Sequence, residues 1–182
     1  MDALTALQTR TATPRLKEPA PQGKDLEEIL KAGLRAPDHG MLRPWKFLLV
    51  EGDARVKLGE MFVESLQPDT DERRQKLLDA PMRAPLLIVC IAKIRVGDKI
   101  PRIEQVGSMA AAIQNMSVAI HALGYGSIWR TGPVAHADQI KLALGQAETD
   151  EIVGYLYVGT PAISNRPVPE HNLADYVSSW PA

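Results

Sequence analysis

Seven residues constrain this chain more than any others: Leu86-Leu-Ile-Val-Cys-Ile-Ala92 runs without one polar side chain. The run is too short to cross a membrane and has no helical stripe. It reads as a strand buried on both faces, which requires a covering layer on each side of a sheet. Phe47–Val50, Tyr125–Trp129 and Glu151–Val158 read as further strands. Helices are predicted over Asp2–Thr9, with Leu4 and Leu7 facing inward, over Lys24–Arg35, Asp53–Gln67 and Asp138–Leu144, and over a long stretch from Pro101 to Leu123. Pro68–Gln75 reads as a solvated helix or loop. Strands and helices do not alternate as βαβ units, so the fold class expected is an α+β sandwich and not a doubly wound sheet.

The 182 residues suffice for one domain spanning 1–182. With 21 basic and 22 acidic residues the net charge is −1, which argues against a nucleic-acid partner. The lone Cys90 allows no internal disulfide and lies in the apolar run, where it reads as an inert core residue. No signal-like or membrane-spanning segment is visible, and the expected location is cytoplasmic. His39, His121, His136 and His171 are scattered, so no metal site is expected, and no residue stands out as catalytic. If the chain is an enzyme, an organic cofactor carries the reaction.

The polar stretch Arg35-Ala-Pro-Asp-His39 to Phe47 is unusual for a loop between a helix and a strand. Loops held by rigid elements are where binding chemistry concentrates. Arg10 with Thr11, Arg35 with His39, and Trp129-Arg130-Thr131-Gly132 together supply guanidinium forks, hydroxyls and a close-approach glycine suited to a phosphorylated cofactor. Taken singly, each has a plain structural role; Arg35, for example, sits where a helix C-terminus favours a cation.

These strings, with Arg15-Leu16, Glu18-Pro-Ala-Pro21, Pro44-Trp45, Arg83-Ala-Pro-Leu86, Ile128-Trp-Arg130 and Val153-Gly-Tyr-Leu-Tyr157, are similar to those of the FMN-dependent nitroreductase superfamily, among its small NAD(P)H nitroreductases. The resemblance covers nearly the whole chain. It implies an α+β sandwich with a central mixed sheet flanked by helices, in an intertwined homodimer with FMN at the interface. Residues 160–182, with four prolines, little periodicity and an aromatic tip at Trp180, read by themselves as a C-terminal extension docking on the partner subunit.

By the family's pattern, Arg10, Thr11, Ala12, Trp129, Arg130 and Thr131 contact FMN from one subunit, and Arg35 and His39 reach the FMN held mainly by the other. Ala119, Ile120, His121, Ala122, Leu123 and Gly124 match a segment assigned to the nicotinamide cofactor, NADH or NADPH. The implied activity passes a hydride to flavin and then, ping-pong, to a small-molecule electron acceptor such as a nitroaromatic or quinone. Dehalogenation, dehydrogenation and non-catalytic flavin binding are the alternatives within the same resemblance. Two positions depart from the pattern: Arg10-Thr11-Ala12 stands where Arg-Arg-Ser is usual, and Arg43 where Gln is usual.

Overall fold

A computed structural model describes residues 1–164 and 167–181. The helices are α1 (Ala3–Thr9), α2 (Gly23–Gly33), α3 (Ala54–Leu66), α4 (Asp71–Asp79), α5 (Arg102–Ala122), α6 (Pro133–His136) and α7 (Asp138–Ala143). The strands are β1 (Leu16–Lys17), β2 (Trp45–Glu51), β3 (Leu86–Ala92), β4 (Gly126–Arg130) and β5 (Glu151–Pro161).

The apolar run is the central strand. All seven residues of β3 are wholly buried, between β2 on one side and β5 on the other. Leu86, Ile88 and Cys90 pack under α2 and α5, whereas Leu87, Val89 and Ile91 pack under α3, α6 and α7. Burial pushes the Cys90 thiol well above its ordinary range, so it is an un-ionised core group.

Every strand pairing among the described residues is antiparallel, where a mixed sheet is expected from the resemblance. The connections explain this. Two helices, α3 and α4, link β2 to β3 and bring the chain back to the end it left, so β3 runs antiparallel to β2. The single helix α5 links β3 to β4, which are parallel to each other, but β5 lies between them and opposes both.

The long helix α5 crosses the face of the sheet with Met109, Ile113, Met116 and Ile120 fully buried. Helix α2 lies close against it because Gly33 has no side chain: a Cβ there would stand 2.9 Å from Met116 Cγ. Asn115 Nδ2 donates to Ala32 O at 3.2 Å and Tyr125 OH to Asp25 Oδ2 at 3.0 Å, which fixes α2 antiparallel to α5.

The polar segment after Pro68 is a helix, α4. Thr70 accepts from the Arg73 N–H at 3.2 Å, and Glu72–Lys76 pair across one turn at 2.7 Å. Leu4 and Leu7 do not face inward. They are 67% and 53% exposed, and α1 turns Ala6 inward instead, because a helix this short covers its neighbour with one small face. Residues 167–181 lie exposed along their length. The expected extension 160–182 also includes residues 165, 166 and 182, which lie outside the described residues. Among the described residues no helix is long and apolar enough to cross a membrane, and no group of His, Cys, Asp and Glu is placed to hold a metal.

Candidate cofactor site

The first cluster lies along β4. The loop after α1 runs beside this strand: the Thr13 N–H donates to Ser127 O at 2.9 Å, and a Cβ on Gly126 would meet Thr13 Cβ at 3.0 Å. Arg10 and Thr11 enter that loop directly from α1, whose end is tied to α5 by a hydrogen bond between Thr9 Oγ1 and His121 Nε2 at 2.9 Å. Alternation along β4 then sends Trp129 and Arg130 to opposite faces of the sheet. Arg130 pairs in register with Tyr155, and its Cζ lies 5.6 Å from the Tyr157 ring centroid. Trp129 lies over Gly154, beside a bulge in β5.

Two polar atoms in this cluster are orphaned. Thr11 Oγ1 and Arg130 Nε are buried without a hydrogen-bond partner among the described residues. A buried donor left unmade costs about 1–3 kcal/mol, so such atoms mark places where a ligand completes the bonding. Arg10 and Arg130 also lack a carboxylate partner among the described residues. Both ends of the cluster therefore carry uncompensated positive charge.

A pocket of about 450 Å³ opens beside Arg130, Thr131 and Gly132. Tyr155, Tyr157 and Arg83 also line it. Arg83 is a residue that sequence reasoning used only as part of a family string. A turn after α4, distant in sequence from β4, carries it to the pocket.

The second cluster is the loop after α2. Met41 and Arg43 take left-handed backbone conformations, φ 54° and 51°, and the Asp38 carboxylate holds the Arg43 N–H at 2.7 Å. Trp45 Nε1 donates to Ser108 Oγ at 2.9 Å, and Ser108 Oγ donates to Pro37 O at 2.7 Å, pinning the loop to α5. His39 Nδ1 contacts Glu104, and Arg35, His39 and Arg43 are all exposed.

The clusters sit far apart in one chain. Glu104, which holds His39, and His121, which holds Thr9, are on the same helix, so about 25 Å of helix rise separates them. The structure thus brings Arg10, Thr11, Ala12, Trp129, Arg130 and Thr131 to one region and places Arg35 and His39 in another.

The segment 119–124 is the C-terminal turn of α5. Ile120 is wholly buried in the core, and His121 is hydrogen-bonded to Thr9. Ala122, Leu123 and Gly124 are exposed beside the first cluster.

Residues 8–160 match the model of the nitroreductase family. The chain is 41% identical over 165 residues, 90% of each chain, to "Putative NAD(P)H nitroreductase YdjA" of Escherichia coli K12. Its fold is similar to that of a nitroreductase-like family protein from Bacillus cereus, with a TM-score of 0.86 and 22% identity over 100% of this chain and 97% of that one. A nitroreductase with bound FMN from Bacteroides fragilis matches with a TM-score of 0.74 and 19% identity, over 98% of both chains. With a family model covering most of its length and a relative at this level of identity, the chain belongs to the nitroreductase family.

Proposed function

We infer that this chain is an FMN-dependent NAD(P)H oxidoreductase, working as a homodimer with FMN at the interface. The observation that carries the reading is the separation of the two cationic clusters along α5. Neither is a full site alone, and a symmetric pair of chains can set the Arg35–His39 loop of one against the Arg10–Arg130 cluster of the other. Family membership and the FMN held by the similar Bacteroides protein support the choice of cofactor.

The donors present fit FMN. The orphaned Thr11 hydroxyl and Arg130 guanidinium are suited to a phosphorylated, hydroxylated chain, and Arg10 would supply positive charge for the pyrimidine edge of the ring. Arg130 would hold the phosphate. When bound, FMN supplies hydride transfer from NADH or NADPH to an electrophilic acceptor, a nitroaromatic or a quinone, in two successive half-reactions. The protein contributes orientation and charge placement. Trp129 closes one side of the site, and Ala122, Leu123 and Gly124 offer surface for the nicotinamide. No side chain is assigned as proton donor.

Purified protein incubated with FMN and passed through a desalting column should keep the flavin's visible absorbance. Anaerobic addition of NADH or NADPH should then bleach it. Protein that retains no flavin refutes the reading, and retained flavin that neither donor bleaches reduces it to flavin binding.

A further inference from the structure

The pocket beside β4 has a chemistry of its own. Two guanidiniums, Arg83 and Arg130, border it, and no aspartate or glutamate does. Neither has an ion-pair or hydrogen-bond partner among the described residues for its side chain. Both act on one aromatic group: burial raises the Tyr157 phenol, and the charges of Arg130 and Arg83 pull it back. Leu66 and Leu77 make an apolar wall opposite. Two like charges converging on one cavity repel each other, and an apolar wall strengthens that repulsion by lowering the local dielectric. Two part-buried lysines of this protein are compensated by carboxylates, Lys93 by Asp150 and Lys141 by Asp138 at 2.8 Å. At the pocket the compensation is missing.

We propose that Arg83 and Arg130 form a two-guanidinium site for a phosphate monoester, with Arg83 as a binding residue. Planar guanidinium forks from two sides match the tetrahedral oxygens of a phosphate, and Tyr157 fixes the Arg130 plane by stacking. Arg83 is exposed, so it can swing onto an arriving anion, while Arg130 is already in place. The phosphate has two possible sources, FMN itself or a separate small phosphate ester. The proposal rests on the flavin reading only for the first.

The test uses the full chain, wild type and three variants: Arg83→Gln, Arg83→Lys and Arg130→Gln. FMN and riboflavin are titrated by fluorescence, and inorganic phosphate is titrated by thermal shift with sulfate-free buffer as the reference. Because the Arg83 side chain bonds to nothing described, Arg83→Gln should fold, and circular dichroism checks it; Arg83→Lys keeps the charge and should restore part of the effect.

A tenfold or greater loss of FMN affinity in Arg83→Gln, with riboflavin affinity unchanged, identifies FMN as the source. An unchanged FMN-to-riboflavin ratio, with phosphate stabilising wild type but not Arg83→Gln, identifies a separate phosphate ester. If the protein takes up no flavin at all yet shows that phosphate effect, the flavin reading fails and the pocket stands. If Arg83→Gln changes neither the flavin ratio nor the phosphate response, the proposal is overturned.

Discussion

The indole N–H of Trp129 donates to the carbonyl of Val153 at 3.2 Å, across a bulge that breaks the register of β5 against β3. The bulge turns that carbonyl out of the sheet ladder and leaves it free for the indole. Gly154 makes room: a Cβ there would lie 2.1 Å from Trp129 Nε1 and 2.9 Å from the Arg130 carbonyl. Trp129 and the backbone of Arg130 are thus positioned by a residue with no side chain.

Gly154→Ala should therefore displace the indole and push β4 off β5. Part of the clash is with backbone, so side-chain rotation alone does not relieve it. The expected loss is about 1–3 kcal/mol, the usual cost of overpacking. Chemical denaturation followed by tryptophan fluorescence reads both the loss and the altered indole environment. A midpoint equal to wild type would show that the close approach is not enforced.

Thr11→Val separates stability from binding. The hydroxyl is buried and unpaired, so a methyl of nearly the same shape removes an unmade hydrogen bond. Flavin-free protein should gain about 1 kcal/mol in stability, while FMN affinity falls by up to about tenfold, the worth of one hydrogen bond. Parallel denaturation and FMN titration test the two signs together. A variant that loses stability would mean the hydroxyl has a partner in the folded chain.

The alkaline limb of the stability profile follows from three buried acids. Burial raises the Cys90 thiol and the Tyr155 and Tyr157 phenols above ordinary values of 9.0 and 10.0. Each is neutral in the folded chain and ionises first in the unfolded one. Above those ordinary values the unfolded state binds fewer protons, so stability falls as pH rises, by at most about 1.4 kcal/mol per pH unit for each group. Urea midpoints should be level from pH 7 to near 9 and then decline. Cys90→Ala should flatten the first part of that decline, between pH 9 and 10, where the tyrosines contribute little. An identical slope in variant and wild type would contradict the assignment.

What was legible in the sequence was whatever a single element encodes. The seven-residue apolar run announced the central strand, and the stripe from Met109 to Ile120 announced α5. Arg10, Thr11 and Arg130 stood out because each sits at an element's end beside turn residues. What was not legible depends on how elements meet. Leu4 and Leu7 have the spacing of a buried face, yet α1 packs through Ala6. Arg83 joins Arg130 only because the α3–α4 pair returns the chain to the sheet end where β3 begins. The bulge at Val153 leaves no mark in composition beyond the glycine that follows it.

The C-terminal segment supplies the last prediction. Trp180 is 95% exposed, and Tyr176 and Leu173 are 73% and 75% exposed. An indole left wholly in water forgoes about 1.5–3 kcal/mol of burial, and three large apolar groups exposed in one short stretch suit burial against a second surface. Leu4, Leu7 and Leu123 form another open apolar area at the α1–α5 end, next to the Arg10 cluster. We propose that in the dimer the tail of one chain covers apolar surface of the other and so helps to hold the two half-sites together. Deleting residues 171–182 should shift the protein from dimer to monomer in light scattering across a dilution series. FMN retention should fall with it, because half of each site leaves with the partner. A truncated chain that remains a flavin-loaded dimer would remove the tail from the assembly, and a flavin-loaded monomer would refute the shared site itself.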